Sequence, residues 1–214
     1  MKAYDRKAQD KKNRAFVLKE ARFLLELSDL VSLNTMHDTE GFGRTRMEQF
    51  YRGFQDTYDG YKSRYLAWDD SVICGDRTDT EMLKRHLRQI GYEYTAPVYK
   101  PCPPIIRQSA DRERLLLIEK YDIVMRETIP VMEHAELVTL ITMHDLFGRG
   151  RERLERYFTR YRTTYDAFRA LYLTADESIR VVSDNQKKRL LGIGLDYDAL
   201  VEDILDGYRN GGRK

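Results

Sequence analysis

The sequence predicts an all-α fold in which one small helical unit is written twice, its two halves packed about a pseudo-twofold axis. Three observations predict it. Leu30 to Leu66 aligns with Leu137 to Leu173 without a gap at an offset of 107, with 17 of 37 positions identical. Apolar residues recur at three and four positions, the period of a helix with one buried face. No segment shows the alternation of a half-buried strand. Self-similarity of this length points to a duplicated supersecondary unit, and paired homologous units commonly imitate a symmetric dimer.

The elements follow in order. Leu24, Leu27 and Val31 give a helical apolar face running into Met36, and Val131 to Met143 does the same in the second copy. Pro130 is expected to start or kink a helix there. Gly41 and Gly43, like Gly148 and Gly150, are expected to end that helix and turn the chain. A long helix follows, its apolar stripe carried by Met47, Tyr51, Phe54, Tyr58, Tyr61, Tyr65 and Trp68, and in the second copy by Leu154, Phe158, Tyr161, Tyr165, Phe168 and Tyr172. Thr78-x-x-Glu81 and Ser183-x-x-Gln186 have the form of capping boxes opening a shorter helix. Weak similarity extends the repeat upstream, from Ala15–Glu20 over Asp122–Glu127, and downstream, from Ile90–Tyr94 over Ile193–Tyr197. Pro97 to Ser109 holds four of the five prolines and reads as an extended connector. The resulting division is a first copy over 1–96, a linker over 97–112, and a second copy over 113–214 whose tail, Arg209 to Lys214, reads as disordered.

Composition narrows the function classes. Lys and Arg total 37 against 35 Asp and Glu, a balance that argues against a protein coating nucleic acid indiscriminately. Only Cys74 and Cys102 occur, so a disulfide framework is not expected and a reducing compartment is. Mean hydropathy is −0.64 and no apolar run reaches membrane-spanning length, which gives the expectation of a soluble cytoplasmic protein with no membrane partner.

The densest shared segment is Met-His-Asp, a glycine turn, then Arg-x-Arg. It comprises His37, Asp38, Gly41, Gly43, Arg44 and Arg46, and again His144, Asp145, Gly148, Gly150, Arg151 and Arg153. A glycine turn feeding a helix N-terminus exposes amides that favour an anion, and arginine in a first helical turn calls for a negative partner. Either a phosphate-bearing ligand or the chain's own Asp38 and Asp145 would supply it. The tyrosine stripe reads either as a slightly wet interhelical core or as a groove between the copies where rings stack on a base. With Tyr58 and Tyr165 taken from it, the ligand-binding candidates are His37, Asp38, Gly43, Arg44, Arg46, Tyr58, His144, Asp145, Gly150, Arg151, Arg153 and Tyr165. Arg149, Arg153, Arg156 and Arg160 also fall at helical spacing and could follow phosphates, where a solvated helix face is the plainer alternative. Four histidines are too few for a histidine-rich metal centre in each copy, and no Cys or Ser sits in a nucleophile's setting. No catalytic residue, metal or cofactor is expected.

The string MHD-x-x-GFG-x-x-R-M-E-x-F over Met36 to Phe50 resembles small uncharacterised proteins encoded by bacteriophages and integrated elements of Gram-positive bacteria, often a single copy of this unit. The second copy departs from it, with Arg149 in place of Phe42 and Phe147 in place of Glu40. The resemblance implies a viral or mobile-element protein of the host cytoplasm that handles nucleic acid or blocks a host defence. The leading expectation is a non-enzymatic protein that binds nucleic acid or a nucleotide. The alternatives are a module docking on a host defence enzyme and, more weakly, a metal-dependent hydrolase using His37 and Asp38; a further homodimer is left open.

Overall fold

The computed structural model describes residues 3–60, 77–98, 101–173 and 178–211, with side chains from residue 14 onward save 58–60, 77–79, 205 and 207–211. Among these residues the fold is all-helical, with eight helices: α1 Ala3–Glu40, α2 Arg44–Gly60, α3 Arg77–Gln89, α4 Pro104–Ser109, α5 Arg112–Phe147, α6 Arg151–Leu173, α7 Ser178–Gly192 and α8 Tyr197–Gly211. Tyr61, Tyr65, Trp68 and Cys74 lie outside the described residues.

The core is organised by α1 and α5, which pack on each other. Residues 30–36 of α1 are all buried, and so are residues 137–143 of α5, the same seven positions at the 107 offset. A helix buried around its whole circumference must be covered on every side. The coverage is crosswise: α1 packs on α6 and α7, while α5 packs on α2 and α3 as well as on its own neighbour α6. Fully buried Leu24, Leu27, Leu33, Leu137, Leu140 and Ile141 fill this interior.

The turns repeat bond for bond. Gly41 (φ 65°) donates to the His37 carbonyl and Phe42 to that of Met36, at 3.0 and 3.5 Å; Gly148 (φ 61°) donates to His144 and Arg149 to Met143, at 2.8 and 3.2 Å. A left-handed residue here is what reverses a helix terminus and satisfies its last carbonyls. Gly91 and Gly194 make the second matched pair, with Tyr92 bonded to the Leu87 carbonyl and Leu195 to that of Leu190.

Four local expectations are corrected. Pro130 neither starts nor divides a helix: α5 runs unbroken through it, with the ring exposed where water can replace the missing amide. Ser183 caps nothing, because α7 already begins at Ser178 and Ser183 and Gln186 are buried within it. The connector is not wholly extended, since α4 forms inside it; Arg107 of α4 pairs with buried Asp122 of α5, whose other oxygen accepts from the Cys102 amide. The start of the tail, Arg209 to Gly211, continues α8, and the rest of it lies outside the described residues.

Candidate functional site

The two glycine turns lie against each other. Phe42 of the first turn packs on Phe147 at the end of α5, with ring centroids 4.6 Å apart. At the corresponding pair, Glu40 meets Arg149 at 2.9 Å. The residues that break the repeat are therefore partners: one contact is aromatic with aromatic, the other acid with base. Glu40 also reaches Arg156 at 3.2 Å and Arg153 at 3.9 Å, and its own side chain is 1% exposed. One buried carboxylate thus gathers three guanidinium groups from the second half. Arg149 is mostly covered and lies over the Phe42 ring, whereas the side chains of Arg153 and Arg156 are 55% and 60% exposed. Three positive charges around one negative leave a local surplus, held in place by the fold.

The Asp of each Met-His-Asp motif is occupied elsewhere. Asp38 accepts two bonds from Arg189 of α7 at 3.0 and 3.1 Å, and Asp145 lies 3.7 Å from His86 of α3. Each ties its turn to the third helix of the other half. His37 bonds the Phe42 carbonyl through Nδ1 at 2.9 Å, closing its own turn, while His144 bonds Asp145 at 2.8 Å. The anion that Arg153 meets near the start of α6 is consequently Glu40, not Asp38 or Asp145.

The remaining candidates divide. Arg44 is exposed and bonds Glu48 one turn along its helix at 2.7 Å; Arg46 and Arg151 are exposed. Arg46 stands 5.9 Å from the Phe42 ring, which Arg149 also approaches. Gly43 and Gly150 have open space around them, and the Gly150 carbonyl starts α6 by accepting from Arg153 and Leu154. Tyr165 is buried and stacks on Tyr161, which stacks on Tyr157. These rings meet one another rather than facing a groove. The Tyr58 side chain lies outside the described residues.

One cavity between the halves is small and polar. It has a volume of about 10 Å³ and is lined by Ser28, Asp29, Ser32, Glu136, Tyr157 and Tyr161 among others, room for about one water molecule. Tyr161 bonds Ser28 and Tyr157 bonds Ser32, both at 2.7 Å. Asp29 accepts from Tyr51 at 3.0 Å and Tyr197 at 3.3 Å; Glu136, its counterpart in α5, accepts from Tyr94 and Arg162, both at 2.7 Å. Burial pushes the Asp29 carboxyl up to about 6 against the pull of its two tyrosine bonds, and burial likewise raises Glu136. A larger, open cleft of about 290 Å³ lies beside α6, lined by Tyr92, Glu93, Glu155, Arg162 and Asp166 among others.

No family model, curated protein or solved structure matches this chain. Among the described residues no cluster of three or more His, Cys, Asp or Glu could hold a metal ion, and no helix is long and apolar enough to cross a membrane. Sequence reasoning did not single out Glu40, Asp29 or Glu136. The exchange of Glu40 and Phe42 for Phe147 and Arg149 was the available signal, since two departures from a repeat that can compensate each other mark a contact.

Proposed function

We propose that this chain is a non-enzymatic binding protein that engages a phosphate-bearing ligand through the arginine cluster organised by Glu40. The observation that carries the reading is the ratio of three arginines to one buried carboxylate, with two of the three guanidinium groups exposed. Charge-assisted bonds from arginine are the usual means of holding phosphate, and the ion pairs to Glu40 lower the ordering cost of forming them. The cavity around Ser28 and Ser32 is too small for a nucleotide, and the open cleft beside α6 carries Glu93, Glu155 and Asp166 in its lining, so support falls on the exposed arginines rather than on an inter-copy groove. The resemblance to phage and mobile-element proteins is consistent with a nucleic-acid ligand.

The scaffold is read as a tandem duplication packed about a pseudo-twofold axis. Support comes from reciprocal contacts at matched positions: Tyr197 to Asp29 with Tyr94 to Glu136, Arg189 to Asp38 with His86 to Asp145, and Phe42 to Phe147 with Arg149 to Glu40.

The test is titration of the full chain with a fluorescent oligonucleotide, with ATP and with inorganic phosphate at low salt. Binding that weakens with added salt, and weakens further in Arg153→Ala/Arg156→Ala with unchanged helicity, supports the reading. Failure of all three probes to bind overturns it.

A further inference from the structure

The exposed arginine track of α6 is not matched in α2. Arg153, Arg156 and Arg160 are exposed along α6 at intervals of three and four, so they share a face. Their counterparts in α2 are Arg46, Gln49 and Gly53. Gly53 has a structural cause: a Cβ there would fall 2.7 Å from the Leu146 side chain of α5, so this part of α2 is pressed against the neighbouring helix. Arg149 has no counterpart either, since Phe42 takes its position. The duplication therefore carries two turns but a single arginine track.

We infer that the ligand is a nucleic-acid strand lying along α6, one per chain, held by its phosphates through Arg153, Arg156 and Arg160. This rests on the phosphate-binding reading above. At a rise of 1.5 Å per residue the track spans about 10 Å, more than one phosphate occupies. Among the described residues no stacking platform accompanies it: Tyr157, Phe158, Tyr161 and Tyr165 of α6 are buried, so this face does not read bases and binding along it is independent of sequence. Glu93, Glu155 and Asp166 line the cleft on the other side of α6 and repel phosphates, which confines the strand to the arginine edge.

The experiment is fluorescence anisotropy on the full chain with a labelled 20-nucleotide single strand, its duplex, and competing ATP. The inference expects one strand per chain, with log affinity falling against log salt at a slope of about −2 for three phosphates on a single strand. Arg156→Ala/Arg160→Ala should weaken binding at least tenfold, while Arg46→Ala/Arg52→Ala should change it less than twofold. Should the first variant lose helicity, Arg160→Glu, at an exposed position, carries the same expectation. Equal losses in both double variants, two strands per chain, tighter binding of the duplex, or ATP binding as tightly as the strand overturns the single-track inference and leaves the phosphate reading standing. Failure of every phosphate probe overturns both.

Discussion

Asp29→Asn should make the protein more stable at neutral pH and uncover a pH dependence that the unaltered chain conceals. Asp29 ionises near pH 6 in the folded chain against 3.8 for an ordinary aspartate, because burial disfavours the charge. Between those values the folded state holds a proton that the unfolded chain has released, so stability is lost as pH rises from about 4 to about 6. At about 1.4 kcal/mol per pH unit, the loss is about 3 kcal/mol. His134 works in the opposite sense. Burial lowers it from 6.5 to about 4, so the unfolded chain takes up a proton first and stability is lost as pH falls through that window, again by about 3 kcal/mol. The two effects oppose each other between pH 4 and 6, and wild type should show a shallow profile there. The amide that replaces the carboxyl keeps a carbonyl to accept from Tyr51 and Tyr197. The substitution should therefore raise unfolding free energy at pH 7.5 by up to about 3 kcal/mol, leave it unchanged near pH 4, and uncover the His134 slope. Urea unfolding followed by circular dichroism at half-unit intervals from pH 4 to 8 measures this. A variant less stable than wild type at pH 7.5, with the same slope as wild type between pH 4 and 6, would refute the reasoning.

Three further outcomes are expected. Ser28→Ala leaves the buried Tyr161 hydroxyl without its partner and should cost about 1–3 kcal/mol, whereas Ser28→Ala/Tyr161→Phe, which writes in the Ala135 and Phe54 of the other half, should cost less than the single change; chemical unfolding of both measures it. Gly148→Ala meets no atom within 4 Å but keeps φ at 61°, so thermal unfolding should show a loss of about 1–2 kcal/mol from backbone strain alone. Glu40→Gln removes the charge that gathers three arginines; it should destabilise the fold by about 3 kcal/mol in urea unfolding, because Arg149 then sits covered without a counter-ion.

Much of the fold was legible because its signals were repeated. Helix period and glycine turns occur twice at one offset, and α1 and α5, α2 and α6, and α3 and α7 are helices at corresponding places in the two halves. Two short-range signals misled. Pro130 looks like a helix boundary, yet the packing that buries residues 137–143 carries the helix through it. Ser183 has a capping pattern, but a capping pattern inside an already formed helix is only a buried serine. The site was partly legible. The arginines and the glycine turns were visible, but the choice of Glu40 over Asp38 as counter-ion depends on which turn faces which, and that is fixed by the crosswise packing of α1 on α6. The tyrosine stripe left both a core and a groove open, because periodicity shows which rings share a face and not what covers that face.

The most direct test of the phosphate-binding account is native mass spectrometry of the full chain at low salt with an equimolar 20-nucleotide single strand. The account predicts a complex of one chain with one strand, lost on substitution of Arg153 and Arg156 and dissociated by salt. Bare protein alone at every ratio, while the same sample retains its helicity, would contradict it.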